Sequence, residues 1–113
     1  MQLQFHWDDD GSPRARGKGH GRTVAGFLES DLQDSPAAAR EVLRALDRVE
    51  AGREASWERA GNAYTLTLSP EGATIQDENA EDAEPYRLPL AALREALSGW
   101  VSFLEEGRGS RTL

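Results

Sequence analysis

The stretch SWERAGNAYTLTLSPEGATI, residues 56–75, contains tight-turn residues between short runs that alternate apolar with polar side chains. Gly-Asn at 61–62 is typical of a two-residue primed turn, and Ser-Pro-Glu-Gly at 69–72 places proline and glycine where a type I turn favours them. Alternation indicates strands because successive side chains of a strand point to opposite faces of a sheet. The pattern predicts three antiparallel strands, at about 55–60, 63–69 and 73–77.

Two further strands are predicted before this meander. Residues 2–7, QLQFHW, alternate as a half-buried strand requires, and the polar turn DDDGSP ends the run. The segment RTVAGFL, residues 22–28, indicates a second strand, in which Gly26 marks a bulge or a close backbone approach.

Two helices are predicted from apolar residues that recur at helical spacing. The first covers about 36–51, with Ser35 as its N-cap, proline in its first position and Gly52 at its end. The second covers about 89–106 and stops at Gly107.

The predicted order is therefore β-β-α-β-β-β-α. This order is typical of an α+β fold, in which an antiparallel sheet of about five strands carries two helices packed on one face. A chain of 113 residues suits one domain over 1–113, with 107–113 as a frayed tail. The linker DENAEDAEPY, residues 77–86, is too polar to pack.

Charge and composition exclude several classes of partner. The formal net charge is −7, so the protein repels phosphate backbones and anionic lipid and attracts a basic partner. The absence of cysteine excludes disulfides and thiolate metal sites. No segment approaches the roughly 20 apolar residues of a membrane span, and the N-terminus does not resemble a signal peptide. We expect a cytoplasmic protein with no nucleic-acid partner, no membrane contact and no cofactor.

The basic segment RARGKGHGR, residues 14–22, is the first candidate for ligand chemistry. It contains four fixed positive charges and three alternating glycines, which could cradle a phosphate through exposed backbone amides. Lys18 is followed by Gly19, however, and a P-loop requires Ser or Thr there. A flexible, solvated hairpin connection is the favoured interpretation. A phosphate-ligand binder or small enzyme that uses this loop and His20 stays open as an alternative.

The sequence contains no recognisable catalytic constellation. His6 beside Asp8, Asp9 and Asp10 could be drawn as a metal or acid-base cluster, but the spacing matches no established signature and favours a solvated acidic turn. No nucleophile elbow of the form GxSxG occurs. We therefore expect no catalytic residue, no metal ligand and no enzymatic activity.

The candidate partner-binding surface is the acidic linker together with one aromatic residue. Clustered carboxylates can occupy the cationic groove of a nuclease and steer association. Trp57 has polar neighbours, so it fits either an interface anchor or a core position, whereas Trp100 has core-facing spacing. A row of arginines on the first helix, at 40, 44 and 48, is favoured as a solvent face partly neutralised by Asp47 and Glu50. The candidate residues are Asp77, Glu78, Glu81, Asp82, Glu84 and Trp57.

The stretch SWERAGNAYTLTL resembles the YacL-like family of small, largely uncharacterised bacterial proteins, in which Ser-Trp, Arg-Ala-Gly and Tyr-Thr-Leu occur in the same order and spacing. Gly19-His20, Val24 and Gly26-Phe27 also align, so the resemblance covers about residues 1–77. These motifs are turn glycines and core aromatics. The resemblance implies a shared fold, and it brings no catalytic residues with it.

The expected function is a non-enzymatic, acidic protein-binding module, in its most concrete form an immunity or antitoxin-type inhibitor of a basic toxin such as a nuclease. The alternatives are a housekeeping YacL-like protein with an unknown partner, and the ligand binder or enzyme that uses residues 14–22. The oligomeric state does not follow from the sequence.

Overall fold

A computed structural model of the chain describes residues 2–19, 21–80 and 82–111. Within these ranges the chain forms six strands and three α-helices, the first helix being followed by a π-helical turn. In chain order they are β1 (Leu3–Trp7), β2 (Pro13–Gly17), α1 (Gly21–Phe27), the π turn (Leu28–Leu32), α2 (Pro36–Glu50), β3 (Trp57–Ala60), β4 (Tyr64–Ser69), β5 (Gly72–Asp77), β6 (Tyr86–Leu88) and α3 (Leu90–Arg111).

The strands form two separate antiparallel sheets. The β1-β2 hairpin is one sheet, and the other has four strands in the order β3-β4-β5-β6. The α+β class is confirmed, but a single sheet of about five strands with two helices is wrong. Strand β6 was not predicted because it directly follows the polar part of the linker. It pairs with β5 and ends in the buried Leu88.

The predicted meander is confirmed, with one turn displaced. Trp57 lies opposite Leu68, and this register continues to Ala60 opposite Thr65, so residues 62–63 and not 61–62 form the loop. A primed turn requires a positive φ at one or both of its central residues, and none of residues 61–63 has one. The second turn is confirmed by the pairing of residue 69 with residue 72.

The segment 22–28 is helical, which makes the predicted second strand wrong. Val24, Phe27 and Leu28 are fully buried, and their i, i+3, i+4 spacing places them on one face of a helix. The strand that pairs with β1 is instead β2, which overlaps the segment 14–22 that was expected to be a flexible connection. The hairpin connection is the turn around Asp8–Ser12, where Asp8 N–H donates to the Ser12 carbonyl at 2.9 Å.

The helix boundaries are confirmed except at the C-terminal end. The Ser35 hydroxyl accepts a hydrogen bond from Ala38 N–H at 3.1 Å, which caps α2 as expected. The last helix, α3, continues through Gly107 to Arg111, so the predicted stop is wrong. A Cβ at Gly107 would lie 2.1 Å from the Trp7 ring, so this glycine permits close packing of β1 on the helix.

The hydrophobic core lies between the four-stranded sheet and the three helices. Trp100 is fully buried, and its indole N–H donates to the Gln33 carbonyl at 2.9 Å, which confirms it as a core residue. The hairpin joins this core through aromatic packing, with the rings of Phe5 and Trp100 5.2 Å apart and edge-on. Among the described residues, no helix has the length and apolar character needed to cross a membrane.

Candidate functional site

A cleft of about 840 Å³ lies between the β1-β2 hairpin and α1. Three cationic side chains from the basic segment line it, and all three are exposed: Arg16, Lys18 and Arg22. The remaining polar lining includes Gln4 of β1, Glu29 of the π turn and Tyr64 of β4. The cleft therefore collects groups from four separate parts of the chain.

Two glycines allow the walls of the cleft to approach each other. A Cβ at Gly17 would lie 2.4 Å from the Gly21 carbonyl oxygen, so only glycine lets the end of β2 contact the start of α1. A Cβ at Gly26 would lie 2.2 Å from the Tyr64 hydroxyl, so only glycine fits at this position of α1 and the predicted strand bulge or backbone approach is wrong. The atom that approaches Gly26 is a side-chain oxygen and not a neighbouring strand.

Glu29 holds the basic segment in place. Its carboxylate accepts a hydrogen bond from the Ala15 N–H at 2.7 Å, and Arg14 lies 3.9 Å from its other oxygen. Glu29 is thus already engaged by β2. In the described part of the chain, no carboxylate forms an ion pair with the three cations of the cleft, so their charge is available to a ligand.

The Tyr64 hydroxyl remains protonated in this environment. Burial raises the pKa of Tyr64, and the nearby carboxylates of Asp77, Asp31 and Glu29 raise it further because they disfavour a phenolate. A neutral phenol at the cleft wall can donate a hydrogen bond to an anion.

Asp31 fixes the position of Tyr64, and sequence reasoning missed it. Its side chain is buried, with 7% of the residue exposed, and accepts hydrogen bonds from Ala63 N–H at 2.9 Å and Tyr64 N–H at 3.2 Å. A Cβ at Gly61 would lie 2.1 Å from this carboxylate. Gly61 was the sequence feature that could have indicated this contact. In the structure it leaves room for the Asp31 carboxylate and does not form a primed turn.

The acidic linker begins at the last residue of β5, and its described residues 78–80 and 82–85 lie between β5 and β6. Glu78, Asp82 and Glu84 are exposed, and none of them forms an ion pair with another described residue. Asp77 is half-buried, and its carboxylate accepts a hydrogen bond from the Asn79 N–H at 2.9 Å. Glu81 lies outside the described residues, as does His20 of the basic segment.

Trp57 and Asp77 lie at opposite ends of the four-stranded sheet. Trp57 is opposite Leu68 and Leu68 is opposite Ala73, whereas Asp77 is opposite Tyr64. The two rows are four residues apart along the strands, about 13 Å at a rise of roughly 3.3 Å per residue. Trp57 is half-buried and packs partly against the core, so the structure places it away from the start of the acidic linker.

The acidic turn after β1 has a structural role. Asp8 accepts hydrogen bonds from Ser12 N–H and Asp10 N–H and contacts Arg14, all at 2.9 Å. The pKa of Asp8 is lowered, first by the hydrogen bond from the Ser12 backbone and second by the hydrogen bond from the Arg14 side chain. No group of three or more metal-ligating side chains occurs among residues 2–19, 21–80 and 82–111.

The arginine row on α2 is partly neutralised, but by other residues than expected. Arg40 pairs with Glu105 of α3, and Arg48 pairs with Glu54 in the loop after α2. Asp47 and Glu50 contact Arg94 of α3 instead, so their role is to join the two helices.

The geometry describes a small α+β protein with a cationic cleft on an otherwise acidic molecule. The chain belongs to the uncharacterised protein family UPF0231, whose sequence profile matches residues 1–100. YacL belongs to this family, so the resemblance noted in the sequence is confirmed.

Relatives from Shewanella support the assignment. A UPF0231 protein of Shewanella amazonensis is 31% identical over 124 aligned positions, covering 96% of this chain and all of the relative. UPF0231 proteins of Shewanella strains MR-4 and MR-7 are each 28% identical, over 73% of this chain and 78% of their own lengths. No solved structure matches the chain.

Proposed function

We propose that this protein binds a small anionic ligand, most concretely a phosphorylated metabolite, in the cleft between the β1-β2 hairpin and α1. The observation that carries the proposal is a set of three cations around a cleft of about 840 Å³, Arg16, Lys18 and Arg22, which form no ion pair with any residue that the structure describes. This volume is within the range of roughly 300–1,000 Å³ for small-molecule sites. The proposal is for binding without catalysis.

Phosphate suits this lining for geometric reasons. Arginine presents a planar fork of donors that matches phosphate oxygens, and lysine adds a compact point charge. Gln4 and the neutral hydroxyl of Tyr64 supply uncharged donors at the cleft wall. The whole chain carries a net charge of −7, but three cations and one carboxylate line the cleft, so the formal charge of its lining is positive.

The test measures thermal stabilisation by inorganic phosphate, pyrophosphate and a panel of phosphorylated metabolites. A ligand at one hundred times its dissociation constant adds about 2.7 kcal/mol to the free energy of unfolding. The double variant Arg16→Gln, Arg22→Gln should lose this shift. The matched control Arg44→Gln, Arg53→Gln removes the same charge from exposed positions outside the lining of the cleft and should keep it. No shift across the panel, or an undiminished shift in the cleft variant, contradicts the proposal.

A second candidate function is capture of a basic protein, in the form of an immunity or antitoxin-type inhibitor, through the acidic linker. It is supported by the exposed carboxylates of Glu78, Asp82 and Glu84, which have no ion-pair partner in the described chain. An unneutralised acidic loop raises the association rate with a basic partner, and salt screens this effect.

The test of the second candidate uses the protein encoded by the adjacent reading frame. If that protein is basic, its association rate should fall steeply with salt, and reversing the five linker carboxylates to lysine should slow capture greatly. Those five changes move the formal charge of the linker from −5 to +5. A neighbour that is not basic, or capture unaffected by the reversal, counts against the inhibitor function and leaves the cleft proposal untouched.

A further inference from the structure

The four edge strands of the described sheets differ in how their outer sides are protected. The outer side of β2 is closed because Pro13 has no N–H, the Ala15 N–H is bonded to Glu29, and Gly17 is covered by Gly21. Strand β3 carries Glu58 and Arg59, and β6 is three residues long and flanked by prolines. Charge, proline and shortness are the usual means of preventing edge-to-edge pairing.

Strand β1 has none of these protections. Its sequence, LQFHW, contains no Asp, Glu, Lys or Arg and no proline. On a chain with a formal charge of −7, the strand itself carries no carboxylate that would repel the same strand of a second copy.

The backbone of β1 has unused hydrogen-bonding groups on its outer side. The Asp8 N–H bonds to the Ser12 carbonyl, and hydrogen-bonded pairs alternate with non-hydrogen-bonded pairs along an antiparallel ladder. The backbone N–H and C=O groups of Gln4 and His6 therefore point toward β2, and those of Leu3 and Phe5 point away from it. Within the described residues, the backbone groups of Leu3 and Phe5 have no partner in another element.

A groove of about 590 Å³ lies beside this free edge, between β1 and α3. Its wall on the helix is formed by three small residues, Ala92, Ala96 and Gly99, together with the exposed Glu95. Phe5 already packs here, 3.3 Å from the position that a Cβ of Gly99 would occupy. A strand added to β1 would place its alternate side chains over the same face of α3, and this requires apolar residues at every second position. The strand β1 itself has that pattern.

We propose that β1 pairs antiparallel with β1 of a second copy of this chain, about a two-fold axis at Gln4. In this register Leu3 of one copy lies opposite Phe5 of the other, and the two pairs exchange hydrogen bonds. The Leu3 and Phe5 side chains of each copy then face the groove of its partner. The two hairpins become one four-stranded sheet.

The register makes Gln4 a sensitive test position. The two copies of Gln4 form a non-hydrogen-bonded pair, in which Cα atoms are about 4.5 Å apart and like charges are destabilising. Gln4→Glu places two carboxylates together and Gln4→Lys two ammonium groups, so each variant should sediment as a monomer where the unmodified chain sediments as a dimer. An equimolar mixture of the two variants should regain the dimer mass.

The matched control is Thr74→Glu. Within a single chain, Gln4 lies opposite Arg16 and Thr74 lies opposite Arg87, so both substitutions place a glutamate across from an arginine, but Thr74 is on an internal strand. The control should remain a dimer. Far-ultraviolet circular dichroism shows that each variant is folded.

Three results overturn the proposal: an unmodified chain that is monomeric up to its solubility limit, dimers of both Gln4 variants, or a mixture that stays monomeric. Monomers that instead bind an extended peptide at β1 would assign the groove to another partner. Because sedimentation reports mass and not ligand occupancy, the outcome is independent of the anion-binding proposal, although Gln4 lines both the cleft and the groove.

Discussion

The basic segment 14–22 and the acidic linker 77–84 are both charged and polar in the sequence, yet the fold uses them differently. Most of the first segment is ordered as β2 and the start of α1, and its residues line a cleft. In the second, the described residues 78–80 and 82–84 lie outside helices and strands and carry exposed carboxylates, before the short strand β6.

The difference comes from the small residues between the charges. Ala15 is buried, and Gly17 contacts the backbone of Gly21, so the basic segment packs closely while its long cationic side chains extend to solvent. The alanines of the acidic linker, at 80 and 83, are only half-buried. A charged segment therefore packs closely when its uncharged positions can approach another element.

The largest effect is expected from Gly17→Ala. Its Cβ would meet backbone atoms of Gly21, which cannot rotate away, so we expect a loss of about 3 kcal/mol in the free energy of unfolding, at the upper end of typical overpacking costs. The control is Gly19→Ala, at a φ of 56° with open space around it, where the backbone conformation alone costs about 1 kcal/mol. Equal losses in urea denaturation would mean that the glycines supply only backbone freedom.

Removing the carboxylate that holds β2 should have the next largest effect. Glu29→Ala leaves the N–H of buried Ala15 without an acceptor, which costs about 1–3 kcal/mol. Glu29→Gln keeps an acceptor oxygen and should lose less. If the two variants unfold at the same denaturant concentration, the hydrogen bond does not hold the segment.

Gly26→Ala should cost about 1 kcal/mol, because the clash with the Tyr64 hydroxyl exceeds the gain in helix propensity from alanine. Tyr64→Phe removes that oxygen and should restore part of the loss. A double-mutant cycle in thermal unfolding measures the coupling. Additive losses would show that the hydroxyl does not pack on α1.

The smallest effect is expected in the acidic linker. Asp82→Lys and Glu84→Lys change exposed side chains without an ion-pair partner in the described chain, so each should alter the free energy of unfolding by no more than about 0.5 kcal/mol. Urea denaturation measures this change. A loss above about 1 kcal/mol would show that the linker is packed and would remove the contrast between the two segments.

Part of the candidate site followed from the sequence and part did not. The three cations of the cleft lie in the segment for which a phosphate ligand was the alternative to a solvated connection, and they are close enough in sequence to be noticed together. Glu29 and Tyr64 could not be found in this way, because they come from the π turn and from β4 and meet the basic segment only in the folded chain.

Local patterns determined the meander, the cap of α2 and the core position of Trp100. Each depends on residues close in sequence or on a periodicity that one element imposes by itself. The α+β class follows from these elements.

Only the tertiary structure decided the roles of the glycines and the partition into two sheets. Gly61 was consistent with a primed turn and Gly107 with a helix stop, but in the fold they admit the Asp31 carboxylate and the Trp7 ring. The buried positions of Val24, Phe27 and Leu28 were likewise compatible in sequence with an irregular strand. In the structure β2 is the strand that pairs with β1, and these three residues lie at i, i+3 and i+4 on one helical face. A glycine in the sequence does not show which distant group will pack into the space that a side chain would fill. This is the physical reason why local patterns alone could not assign the roles of these positions.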